Sequence, residues 1–257
     1  MFLTRYAILL GAFVLATHSA RAMVVIPGAA ADPVVDTFGA LPAATFGGTG
    51  IPNNAVAIST VVDGLNTITL GITATPRFSS PTPFNDGMGA YTAQVGESSP
   101  DLSTWNVSYY ADIDGPGTFA DYRFELDYDL NSAFGTALSD HGTLNLNAFV
   151  VLDGGVPLLA TTQTDEGSEN LGFSFLTTSA PGLIDPPVPT PTFDPFDTGE
   201  YTFQLRVFDD PLVGSLVDQV SMSVTVIPEA SSLLCFSLVA AIAGGVHWKK
   251  QRSSVTR

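Results

Sequence analysis

Two pairs of carboxylates stand two residues apart in this sequence: Asp112 and Asp114, followed by Gly115, and Asp127 and Asp129, followed by Leu130 and Asn131. Residues i and i+2 of a strand project to the same side, so each pair can offer hard oxygen ligands to a cation such as Ca²⁺. Asp112 and Asp114 are the better candidate metal ligands, because they end a strand-like run beside the turn Gly115-Pro116-Gly117. The second pair is similar to the opening of an EF-hand loop. It then departs from that pattern, with Ser132 where the loop needs Gly and Leu138 where it needs a bidentate Glu. Asp127 and Asp129 are therefore expected to form a solvated polar face, and Asp209-Asp210-Pro211 to form a turn.

Other chemistry is thinly represented. His141 is the only histidine between Met23 and Pro228, and Asp140-His141-Gly142 reads as a turn. No Gly-x-Ser-x-Gly elbow accompanies it, and zinc would need further His or Cys ligands. With 24 carboxylates before Pro228, some pair will stand at a glycosidase-like distance by chance, and nothing in the sequence singles one out. The expectation is a protein that is not an enzyme and carries no cofactor, Ca²⁺ being the one candidate ion. Among the aromatics, Trp105, Tyr109 and Tyr122 fall on expected core faces. Tyr110 points the other way and is the candidate ligand-binding residue, an aromatic on which a sugar ring could stack. Asn106-Val107-Ser108 matches the glycosylation sequon but lies within an expected strand.

The elements that must position these residues alternate with period two. The sets are Ile68, Leu70, Ile72; Trp105, Val107, Tyr109, Ala111, Ile113; Tyr122, Phe124, Leu126, Tyr128, Leu130; Leu144, Leu146, Ala148, Val150; Tyr201, Phe203, Leu205, Val207; and Val220, Met222, Val224, Val226. Turn residues fill the gaps, and no segment sustains a helical period. Clean alternation belongs to antiparallel sheets with one wet face. The pattern predicts an all-β, antiparallel β-sandwich, immunoglobulin-like or jelly-roll-like, over residues 23–226. The Pro-rich stretch 181–195 is expected to be an extended loop or an interdomain linker.

Charge and hydropathy divide the 257 residues into three parts. Between Met23 and Pro228 there are three arginines, no lysine and 24 acidic residues, a surface that repels nucleic acid. Residues 1–22 read as a secretory signal peptide: Arg5, an apolar run from Tyr6 to Ala16 too short to span a bilayer, and the small-x-small site Ala20-Arg21-Ala22. Residues 227–257 read as an anchor. A single transmembrane helix is expected over 233–248, with Lys249, Lys250 and Arg252 held on the cytoplasmic side. The lone cysteine, Cys235, lies in that apolar run, so the β domain has no disulfide to lean on.

The order Pro228-Glu229-Ala230, apolar run, basic cluster resembles the PEP-CTERM sorting signal of exported bacterial proteins, with Ala230 where that signal has a second Pro. The strand-like run from Gly199-Glu200-Tyr201-Thr202-Phe203 to Val226 is similar to the region preceding that signal in such proteins. The resemblance implies an exosortase-like processing enzyme as partner, a place at the cell envelope or outer surface, and association with exopolysaccharide. A carbohydrate- or calcium-binding module, or a polysaccharide hydrolase, are the narrower alternatives.

Overall fold

The computed structural model describes residues 33–148 and 161–229. The expected signal peptide and the anchor from Ala230 onward lie outside the described residues. Among the described residues, no helix is long and apolar enough to cross a membrane.

Along the chain the strands are β1 (Thr37–Gly39), β2 (Val56–Asp63), β3 (Asn66–Pro76), β4 (Phe84–Asn85), β5 (Ala90–Gln94), β6 (Glu97–Ser99) and β7 (Leu102–Ser103). They continue with β8 (Trp105–Asp114), β9 (Arg123–Tyr128), β10 (Gly142–Asn145), β11 (Thr164–Glu169), β12 (Ile184–Asp185), β13 (Gly199–Phe208) and β14 (Leu216–Ile227). One sheet has the order β1-β2-β3-β8-β11, the other β12-β10-β9-β13-β14-β5-β4, and β6-β7 form a small ribbon. Among the described residues every strand pairing is antiparallel except β14 with β5.

The alternating residues meet between the two sheets. Ile68, Leu70 and Ile72 of β3 and Trp105, Val107, Tyr109, Ala111 and Ile113 of β8 share one apolar cluster with Phe124 and Leu126 of β9, the Tyr201–Val207 set and the Val220–Val226 set. The Trp105 ring lies 6.1 Å from both Tyr201 and Phe203, joining the layers near one end. A single core therefore runs through both sheets, held by burial rather than by cross-links.

One expected strand stops early. The run Leu144–Val150 forms a ladder only to Asn145, after which Leu146–Ala148 turn helically. Asn147 explains the break. Its buried amide accepts from Phe124 N (2.7 Å) and donates to Phe119 O and Tyr122 O (2.7 and 2.8 Å), replacing the ladder at the start of β9. The Pro-rich stretch stays within the body of the fold: Ile184–Asp185 pair with β10, and Pro195 O accepts from Gly96 N.

Two connections fold over the outer sheet faces. Residues 41–53 lie on the five-stranded sheet, where Ala44 and Phe46 form a second apolar cluster with Val56 and Tyr110. Gly71 permits that approach, since a Cβ there would sit 2.7 Å from Leu41 Cδ2. On the seven-stranded sheet, the residues leading to His141 return over the end of β9 and bring His141 Nε2 to 2.9 Å from Thr202 Oγ1.

Candidate functional site

The covering segment 41–53 creates a cleft. Glu166, on the edge strand β11, accepts hydrogen bonds from Thr45 N (2.7 Å), Phe46 N (2.8 Å) and the Thr45 hydroxyl. A charged acceptor on two backbone N–H groups is a strong fastening, and it pins the middle of the segment to the sheet edge. Beyond it the chain lifts away through Phe46 (φ 53°), Gly47 (φ 72°) and Gly50 (φ 83°). The far wall is the corner after β3, where Phe78 also has φ 53°. Between the walls is a space of about 470 Å³, floored by Asn106 of β8 and by Gly167 and Ser168 of β11.

The floor is a hydrogen-bonded polar patch. Asn106 Nδ2 and Ser108 Oγ both donate to Ser168 Oγ (3.0 and 2.9 Å), and Asn170 Nδ2 donates to Asn106 Oδ1 (2.8 Å). Behind it, Thr75 and Ser108 hydroxyls meet at 2.7 Å. The sequon asparagine is thus part of a sheet-bound network.

Arg77 supplies the cleft's charge. Its guanidinium lies 4.7 Å from the Phe78 ring centre and 5.4 Å from that of Phe173. Among the described residues its buried Nε has no hydrogen-bond partner, and no carboxylate forms an ion pair with it. Phe78 is 78% exposed. A non-glycine residue in the left-handed region costs on the order of 1–3 kcal/mol, and such residues gather at functional sites. Three residues among those described have this conformation, and two of them, Phe46 and Phe78, line this cleft.

Each sequence-predicted position has a different fate. Tyr110 is only 5% exposed, because segment 41–53 covers the face expected to be open. Burial, followed by the Asp112 and Glu166 charges, pushes its phenol up to about 12. It supports the cleft wall from beneath and offers no surface for stacking. Asp112 accepts from Thr164 Oγ1 at 2.5 Å, while Asp114 stands exposed at the end of β8. Among the described residues, no three His, Cys, Asp or Glu side chains gather as metal ligands. Of the sorting motif, Pro228 and Glu229 are exposed directly beyond β14, and Ala230 lies outside the described residues.

Asp127 and Asp129 are buried, at 5% and 1% exposure, where a solvated face was expected. The register places Arg206 opposite Glu125, and Gln204 and Thr143 on either side of Asp127. Arg206 then pairs with Glu125 at 2.9 Å and with Asp127 at 2.6 Å, Arg123 pairs with Glu125 at 3.0 Å, and Thr143 Oγ1 donates to Asp127 at 2.8 Å. Asp129 Oδ1 accepts from Asn131 N (2.8 Å), while its Oδ2 faces His141 Nε2 at 3.8 Å. Burial pushes the Asp129 carboxyl up to about 6 and His141 down to about 4, so the imidazole is neutral near pH 7.

On β11, burial raises Asp165 to about 6, and burial with the Asp165 charge raises Glu169. Raised carboxyls suit a general acid. Neither of these two lines the cleft, so the raised carboxyls and the open space are not brought together.

No family model matches the chain, and no curated protein does.

The residues that build the cleft escaped the sequence reading. Glu166 and Ser168 sit in Thr164-Asp165-Glu166-Gly167-Ser168-Glu169, which holds no apolar residue, and Phe46 and Phe78 are ordinary loop phenylalanines by pattern. The available signal was scarcity: Arg77 is one of three bases in the whole span between Met23 and Pro228.

Proposed function

We propose that this is an exported, membrane-tethered bacterial surface or extracellular-matrix protein, sorted by a PEP-CTERM-like signal, that works by binding rather than by catalysis. The observation that carries the reading is the route of the chain. β14 is an inner strand of the seven-stranded sheet, and it delivers the chain at one end of the fold directly to exposed Pro228 and Glu229. The apolar run 233–248 and the basic cluster follow at once. This order suits a body standing on the membrane with its sorting motif at the junction, where an exosortase-like enzyme would reach it. The acidic, lysine-free body suits an ion-rich exterior, and association with exopolysaccharide follows from the resemblance of the motif.

The binding role draws on the arrangement of its polar groups. His141 is buried and bonded to Thr202, and the raised carboxyls of β11, Asp165 and Glu169, do not line the cleft. Mass spectrometry of the protein recovered from its native envelope tests the anchoring. The expected result is a mature chain beginning near Met23, with its C-terminus either cut near Pro228 or intact and membrane-bound. A freely soluble cytosolic chain retaining residues 1–22 would overturn it.

A further inference from the structure

We propose that the cleft between segment 41–53 and the corner Pro76–Phe78 binds a carboxylate-bearing sugar ring, a uronic acid residue of a polysaccharide, with Arg77 taking the carboxylate and Phe78 the ring. The site is independent of the tether, so its failure would leave the anchoring reading untouched.

Three observations converge on this ligand chemistry. The first is charge. Arg123 and Arg206 are consumed by Glu125 and Asp127, yet Arg77 stays without a carboxylate partner among the described residues of a protein with 24 acidic side chains before Pro228. Its guanidinium lies against the rings of Phe78 and Phe173, which orients the planar fork, and its Nε has no hydrogen-bond partner among the described residues. A planar fork of N–H donors matches a carboxylate in bidentate fashion.

The second is the exposed ring. Phe78 keeps 78% of its surface in solvent in a left-handed backbone conformation beside that fork. An exposed aromatic face held at the mouth of a polar cleft matches the C–H face of a pyranose, a ring with one apolar side and a hydroxylated rim.

The third is the floor. Ser168 Oγ already accepts from Asn106 and Ser108, which leaves its own proton free to donate, and Thr49 adds a second hydroxyl to the lining. Glu166, the acid fastened to this wall, has its carboxylate oxygens engaged by Thr45 and Phe46 donors, which offsets part of its charge toward an incoming anion. At about 0.15 M salt the remaining carboxylates are screened beyond roughly 8 Å.

The full-length chain in detergent is titrated with trigalacturonate, with a neutral trisaccharide, and with acetate and inorganic phosphate, all by isothermal calorimetry. The expected result is saturable trigalacturonate binding that is absent for the neutral sugar. Arg77→Gln should weaken it about tenfold or more, as loss of a charge-assisted bidentate contact does. Arg77→Lys, which keeps the charge without the fork, should fall between the two. Phe78→Ala should weaken it several-fold, with melting temperatures of all variants unchanged. Absence of trigalacturonate binding, or equal affinity in Arg77→Gln, would overturn the proposal. Equal binding of the neutral sugar would overturn the role of the carboxylate. Equal binding of acetate or phosphate together with an unaffected Phe78→Ala would reduce the cleft to a bare anion site and overturn the sugar.

Discussion

The outer faces of the two sheets handle scarce positive charge in opposite ways. On the seven-stranded sheet, Arg206 stands in register with Glu125 and pairs with both Glu125 and Asp127, while Arg123, two residues before Glu125 on the same strand, pairs with it as well. On the five-stranded sheet, Arg77 sits at a corner with two phenylalanines and no counter-ion among the described residues. The first arrangement offsets the desolvation of buried carboxylates and is architectural. The second leaves a cation beside an open cleft, without an ion-pair partner among the described residues. An arginine's role in this protein is thus decided by the strand register around it rather than by its identity.

The largest effect that separates the two faces is expected from Arg206→Gln. It strands the buried Asp127 carboxylate and should cost about 3 kcal/mol in urea unfolding, whereas Arg77→Gln should stay within about 0.5 kcal/mol. Similar losses from both would erase the distinction.

Next comes pH. Asp129 and Asp165 are raised from 3.8 to about 6, so between those values the folded chain holds protons that the unfolded chain has released. Their contribution is present at low pH and is lost as pH rises toward and through about 6. His141, lowered from 6.5 to about 4, works the other way, and its contribution is lost on acidification through that window. Two carboxyls outweigh one imidazole, and relief of the large negative charge adds to them. Melting temperature should therefore climb as pH falls from 8 to about 5. Asp129→Asn should raise stability at pH 8 on the order of 2 kcal/mol and flatten the profile. A loss of stability at pH 8 in that variant would contradict the burial argument.

Glu166→Ala probes the cleft wall. Releasing Thr45 and Phe46 should cost about 1.5 kcal/mol and speed hydrogen exchange of those two amides about tenfold or more, with β9 and β13 amides unaffected. Calcium gives the smallest effect. Asp112 is already bonded to Thr164 and Asp114 is exposed, so millimolar Ca²⁺ should move the melting temperature by less than about 1 °C. A shift of several degrees, lost in Asp112→Asn, would make this strand end a calcium site after all.

Strands with one apolar face were legible: β3, β8, β9, β13 and β14 fall where period-two alternation placed them. β2 was hidden because Val56 to Val62 mixes apolar residues with Ser and Thr without alternating. β11 was hidden because its pairing is fixed by side-chain bonds rather than by apolar burial: Thr164 to Asp112, Tyr109 to Asp165, and Asn106 and Ser108 to Ser168. The misread polar and aromatic residues share one cause. Tyr110, Asp127 and Asp129 were assigned to wet faces by correct alternation, and later neighbours then closed over them: segment 41–53 over Tyr110, Arg206 and Thr143 of the flanking strands around Asp127, and His141 beside Asp129. Periodicity reports which side of a strand a residue takes, and it carries no information on what later lies across that side.

Side-chain nitrogen NMR of the arginines during trigalacturonate titration tests the contrast between the two faces most directly. The account predicts that the Arg77 Nε–Hε signal moves and saturates while those of Arg123 and Arg206 stay fixed. Movement of all three together, or of none, would contradict it.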